Sequence, residues 1–175
     1  MNTNPIKKLV KILAVFAVIF IIIFVALSFW TTGCKVPLQK DSVAFGETEW
    51  VFNIKKGTTS ECEYNSVSQS YIYTYYNEIV SSYQAKAEYW FVKSDIIPFW
   101  GRLYRVEYFI EDQNDDVFNE IVEAINDDYN SKKGFYIDYV SDSCVNLGFN
   151  EGATGISATA NYSEDGIYVC IEYTF

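Results

Sequence analysis

The sequence predicts an α+β protein: an apolar helix at the N-terminus, then one antiparallel-sheet domain carrying two helices. Three observations lead there. Ile12 to Trp30 runs nineteen residues without a charge. The chain holds fifteen Tyr, thirteen Phe and four Trp, mostly beyond that run, and such rings suit a half-buried pleated surface. Beyond residue 48 the hydrophobic period switches between two and 3.6, so strands and helices are mixed.

At about 1.5 Å per residue the charge-free run covers roughly 28 Å, close to the ~30 Å hydrocarbon core of a bilayer. Lys7, Lys8 and Lys11 are the only charges before it. That bias keeps the N-terminus cytoplasmic and sends residue 35 onward outside. The run leads into Thr31-Thr32-Gly33-Cys34. Small residues before a Cys, with Gly33-Cys34 as the most constrained pair, make this segment resemble the bacterial lipoprotein signal. The resemblance implies a bacterial source, cleavage before Cys34 and a lipid attached to Cys34, and it covers residues 1–34 only. Thr31 stands where that family favours an aliphatic residue, and the run exceeds the roughly 7–15 residues of a signal core. The same letters therefore also read as a retained transmembrane helix with Cys34 as a juxtamembrane thiol. Both readings hold the domain at the outer side of the membrane.

Residues 35–48 mix Lys, Pro, Gly and acids without periodicity and read as a tether, which leaves 49–175 as a single extracytoplasmic domain. Trp50, Phe52 and Ile54 alternate with Val51 and Asn53, predicting a strand over 49–55. Ile72, Tyr75, Tyr76, Ile79, Val80 and Tyr83 keep helical spacing, and Ser66 with Gln69 offers a capping box, predicting a helix over 67–84. The competing reading there is a strand, because Tyr71, Tyr73 and Tyr75 also alternate. Residues 86–93 and 102–111 read as an antiparallel hairpin. Its connection carries Ile96, Ile97, Phe99 and Trp100, which either fold back over the core or form a binding lip.

Phe118, Ile121, Val122, Ile125 and Tyr129 define a second helix, with Asp115 and Asp116 at its positive end and Lys132-Lys133-Gly134 closing it. Strands follow over 135–140, 144–149, 156–162 and 166–175. The last two are joined by Ser163-Glu164-Asp165-Gly166, whose Asp-Gly suits a turn with two positive φ values. In the final strand Ile167, Val169, Ile171, Tyr173 and Phe175 point one way, so its loss should unfold the domain. The resulting order, β-α-β-β-α-β plus C-terminal strands, resembles the ferredoxin-like arrangement. The alternative is a larger, strongly bent sheet around one helix.

Chemistry is sparse. The chain has no His, which removes Ser-His-Asp and Cys-His catalysis and the commonest zinc ligand. There is no Gly-rich phosphate loop, Ser-x-x-Lys or Gly-x-Ser-x-Gly, so no catalytic residue and no cofactor is expected. Asp112, Asn114, Asp116 and Glu123 match four positions of a calcium loop. However, Val117 stands where its sharp turn needs Gly, so they read as acids complementing a helix dipole, and no metal is expected.

The leader holds three of the thirteen basic residues and none of the 23 acidic ones, so the remaining 141 residues carry a net charge of −13. That surface argues against nucleic acid as a partner. With Cys34 lipidated, Cys62, Cys144 and Cys170 allow one disulfide, Cys144 with Cys170 first and Cys62 with Cys144 as the alternative. With Cys34 free, two bridges can form, and four reduced cysteines are the third case. The expected function is a non-catalytic, membrane-held domain that binds an envelope macromolecule as an accessory, inhibitory or immunity-type component. The alternative is a glycan or peptidoglycan binder, which would show three or more coplanar exposed rings in a groove. The third is a carboxylate-dependent hydrolase, which needs two buried acids facing each other in a cleft.

Overall fold

A computed structural model of the chain describes residues 5–29, 31–39, 43–57, 59, 61–95, 100–112 and 114–174. Helix α1 spans Pro5–Ser28 and α2 Glu49–Lys56. Four strands follow, β1 (Cys62–Asn65), β2 (Ser70–Val80), β3 (Tyr83–Val92) and β4 (Arg102–Ile110). Helix α3 (Asp115–Tyr129) leads to four more, β5 (Phe135–Ser141), β6 (Cys144–Glu151), β7 (Thr154–Ser163) and β8 (Gly166–Thr174). All eight strands form one antiparallel sheet in the order β1-β2-β3-β4-β8-β7-β6-β5. Each set of four is an up-and-down meander. The two meanders meet where β8 pairs with β4, so the last strand lies at the centre.

One face of the sheet is covered and the other is bare. On the covered face Phe52 of α2 packs on Tyr73, Tyr75, Tyr89 and Phe91 of β2 and β3. At the other end Tyr129 of α3 meets Phe149 of β6, and Phe118 meets Tyr162 of β7. Between the helices lies the chain from Thr32 to Thr48. There Phe45 stacks on Tyr173 and the Tyr108 hydroxyl donates to the Pro37 carbonyl at 3.4 Å.

Segment 35–48 is thus no tether. Val36, Leu38, Val43 and Phe45 are buried in the core, and the segment pairs with itself through Val36 N–H to Val43 O at 3.0 Å and Phe45 N–H to Cys34 O at 2.9 Å. It lacks periodicity because it is an irregular strap, whose burial follows neither helical nor strand spacing.

Residues 49–55 are helical, not extended. Thr48 caps the helix by accepting from Val51 N–H at 3.3 Å, Lys55 and Lys56 complement its last turn, and Gly57 ends it at φ 81°. Val51 and Phe52 are both buried, whereas Trp50 and Ile54, which had completed the alternation, are 42 % and 62 % exposed.

Over 67–84 the competing strand reading holds. Tyr71, Tyr73 and Tyr75 pair across the sheet with Phe91, Tyr89 and Ala87, and cross-strand ring packing outweighs the helical spacing. Asn65, not a Ser66–Gln69 box, closes the preceding turn, its side-chain oxygen accepting from Val67 N–H at 3.0 Å and Ser68 N–H at 3.1 Å. With a helix where a strand was expected and strands where a helix was expected, the ferredoxin-like order is not the one observed. One larger sheet comes closer.

The 102–111 strand, α3 and the C-terminal strands fall where the sequence places them, within a residue or two, and the strand expected over 86–93 is β3, which starts three residues earlier and ends at Val92. In the β7–β8 turn Ser163 pairs with Gly166, and neither Glu164 nor Asp165 has positive φ. Gly166 itself is at φ 138°, and a Cβ there would lie 2.4 Å from the Ile110 carbonyl. The close approach of β4 and β8 therefore demands this glycine.

Candidate interaction surfaces

The sheet ends in two unlike edges. Strand β1 is four residues long and β5 seven. In β5 every residue after Phe135 is exposed, including Ile137 (37 %), Tyr139 (68 %) and Val140 (59 %). Helix α3 packs chiefly on β6 and β7. Ile137 and Tyr139 pair with the buried Leu147 and Val145 on the covered face, yet they stay exposed. Beside them Phe118, Val145, Tyr162 and Tyr139 line a groove of about 720 Å³, with Asp115 and Asp142 among its polar residues and no basic residue in its lining. A long apolar edge strand with free backbone groups is a template for another strand.

The bare face carries a second constellation. Arg105 ion-pairs with Glu107, and its guanidinium lies 4.9 Å from the centre of the Trp90 ring. Tyr168 hydrogen-bonds to Glu107 and Arg105. Cys170 pairs with Glu107 on one side and Thr159 on the other, and Thr159 donates to Asn146 at 2.9 Å. These side chains bond partly to one another, while Trp90 Nε1 and Arg105 Nε are buried without a hydrogen-bond partner. Burial pushes the Cys170 thiol pKa up, which disfavours the nucleophilic thiolate.

All four cysteines are thiols. Cys144 on β6 and Cys170 on β8 are both neighbours of β7, so two strand spacings, about 9.5 Å, part them, beyond the ~7 Å that a disulfide spans between Cα atoms. Cys62 lies on β1, across the sheet from Cys144 on β6. The expected bridges are therefore out of reach for reasons of register, which spacing along the chain cannot reveal.

Among the described residues two acids are buried, Glu47 (1 % exposed) and Glu49 (2 %). They flank the capping Thr48. Glu47 is ion-paired with Lys55, while burial raises its pKa. Burial lifts Glu49 to about 7, and its Oε1 has no hydrogen-bond partner where it packs against Gly101. Neither lines the β5 groove. Of the calcium-like letters, Asn114 caps α3 by accepting from Asp116 N–H at 2.9 Å, and no metal-binding group of His, Cys, Asp or Glu occurs among the described residues.

Aromatic density is explained chiefly by the core, where Tyr73, Tyr89, Tyr108, Tyr129 and Tyr173 are buried. Beyond α1 the exposed rings of the described residues are scattered: Phe29 against Trp50 of α2, Tyr64 on β1, Tyr76 on β2, and Tyr136 and Tyr139 on opposite faces of β5. Of the apolar connection, Ile96, Ile97 and Phe99 lie outside the described residues. Trp100 does not cover the core. It stacks on Phe24 of α1 with ring centres 5.2 Å apart, and its Nε1–H donates to Ser28 Oγ at 2.9 Å. Arg102 donates to the Leu27 carbonyl at 2.9 Å and Thr48 to the Ser28 carbonyl at 3.2 Å. This junction between α1 and the domain escaped sequence reasoning, because only the apolar excess of the connection hinted at it. Compared with known protein families, characterised proteins and solved structures, the chain matches none.

Proposed function

We propose that the chain is a membrane-held extracytoplasmic domain that binds another envelope protein, as an accessory or immunity-type component, through the β5 edge. The observation that carries this reading is the uncovered edge itself: seven residues, apolar on the covered side, beside an acid-bearing groove. Pairing with an extended partner segment would satisfy the free backbone groups of β5 and bury Ile137 and Tyr139. The acidic groove favours basic side chains on that segment. Helix α1 supports the membrane part, being long and apolar enough to cross a bilayer, as a signal sequence also is. The three lysines before it favour an outward domain. Scattered exposed rings weigh against a glycan platform, and the separate settings of Glu47, ion-paired with Lys55, and Glu49, packed against Gly101, weigh against a hydrolase pair.

The test is capture from envelope extract by the full chain in detergent. Ile137→Lys and Tyr139→Lys place charges on the edge without touching the core and should abolish capture, while Tyr64→Lys on β1 should leave it intact. Equal capture by all three variants would refute the β5 site. Retention on sedimented peptidoglycan, unaffected by the β5 variants, would favour the glycan alternative.

A further inference from the structure

The last turn of α1 is built into the domain. Ser28 is fully buried, and the carbonyls of Leu27 and Ser28, which a helix end leaves without intrahelical partners, accept from Arg102 and Thr48. Trp100 lies along the same turn, stacked on Phe24 and bonded to Ser28 Oγ. Phe29 meets Trp50 edge-on at 6.0 Å. Just beyond, Thr32 donates to the Phe45 carbonyl through both its N–H, at 3.0 Å, and its Oγ1, at 2.8 Å. Cys34 is partly buried against the core, and its carbonyl accepts from Phe45 N–H. Cleavage before Cys34 would remove one partner each from Thr48, Arg102, Trp100 and Phe45. A lipid on Cys34 would have to leave from a packed position.

Length then places this junction relative to the bilayer. Ile12 to Ser28 rises only about 25 Å as helix, short of the ~30 Å hydrocarbon core. If α1 spans with Lys11 at the inner headgroups, its last turn lies at the outer interface rather than clear of the membrane. Phe24 lies one turn deeper still, and Trp100 is stacked on it. We infer that α1 is retained as a transmembrane anchor without lipid on Cys34, and that the end of the domain bearing Trp50 and Trp100 is seated in the interface of the outer leaflet. Indole rings, apolar with one donor, suit that layer. The domain's net charge of −13 leaves rings, not electrostatics, to hold it there. This inference rests on α1 being a membrane segment, and not on the β5 partner.

The experiment uses the full chain made in a bacterial host. The intact mass of detergent-extracted protein should retain the N-terminal segment and carry no addition at Cys34. A mass lacking residues 1–33 with a diacylglyceryl group on Cys34 overturns the inference. The purified chain is then placed in vesicles of phosphatidylcholine and phosphatidylglycerol, with and without lipids brominated near the headgroup. Trp50→Phe, at an exposed position that leaves the fold intact, should lose part of the quenchable emission, as should Trp100→Phe. If the quenched fraction is unchanged in both, the seating is refuted while the anchor stands. Recovery of the chain from the soluble fraction, unextracted, would instead refute the membrane reading beneath it.

Discussion

The two faces of the sheet are built from the same strands and do opposite things. On the covered face Tyr89, Phe91, Leu103, Val106, Tyr108, Val169 and Ile171 are fully buried, and each ring is wedged by a helix or by the strap. On the bare face their immediate neighbours, Trp90, Arg105, Glu107, Tyr168 and Cys170, are only partly buried and contact one another through ring and polar groups. Alternation along β3, β4 and β8 thus separates stability from surface chemistry residue by residue. One face should punish every truncation, and the other should tolerate most.

The largest effect is expected at Phe52, whose ring touches four others. Phe52→Ala should cost about 3–5 kcal/mol by chemical denaturation in detergent. A loss below 1 kcal/mol would mean that α2 is not part of the cooperative unit. Next comes Glu49, buried with its pKa lifted to about 7 from the ordinary 4.5. The folded state then binds more protons than the unfolded state between those values. Stability should fall as pH rises from 4.5 to 7 and flatten above, by up to roughly 3 kcal/mol. Glu49→Gln should remove that slope and raise the melting temperature at pH 8. A slope that survives the substitution would assign it to another group.

Gly148→Ala probes the bare face where backbones crowd. The added Cβ would come 2.1 Å from the Ile156 carbonyl and 2.9 Å from the Tyr136 hydroxyl, at an expected cost of about 1–3 kcal/mol. The smallest effect belongs to Thr159→Val, which deletes the bond to Asn146 and should cost about 1 kcal/mol. A loss at Thr159 as large as at Phe52 would break the division between the faces.

How much of this was legible follows from where each signal resides. Helix α3 could be read because cap, dipole and apolar face all lie within one segment, Asn114 to Tyr129. Helix α2 could not, since Trp50, Phe52 and Ile54 alternate by coincidence, and the deciding Thr48 cap is a single letter. The strap of 35–48 was invisible because Val36, Val43 and Phe45 are buried by strands that lie far along the chain. Register likewise decided the cysteines. The β5 edge was predicted as a strand, but its exposure depends on which strands α3 packs on, which no local pattern records.

Of the eight strands β8 comes last in chain order, and it fills the middle of the sheet, between β4 and β7. Phe45, which precedes every strand, stacks on Tyr173 of β8. Two half-sheets must therefore wait, each with an open edge, until β8 is made. Such an order makes closure late and dominated by distant contacts. During that interval the domain depends on whatever protects unpaired edges, and a chain cut before β8 would leave two half-sheets with no seam.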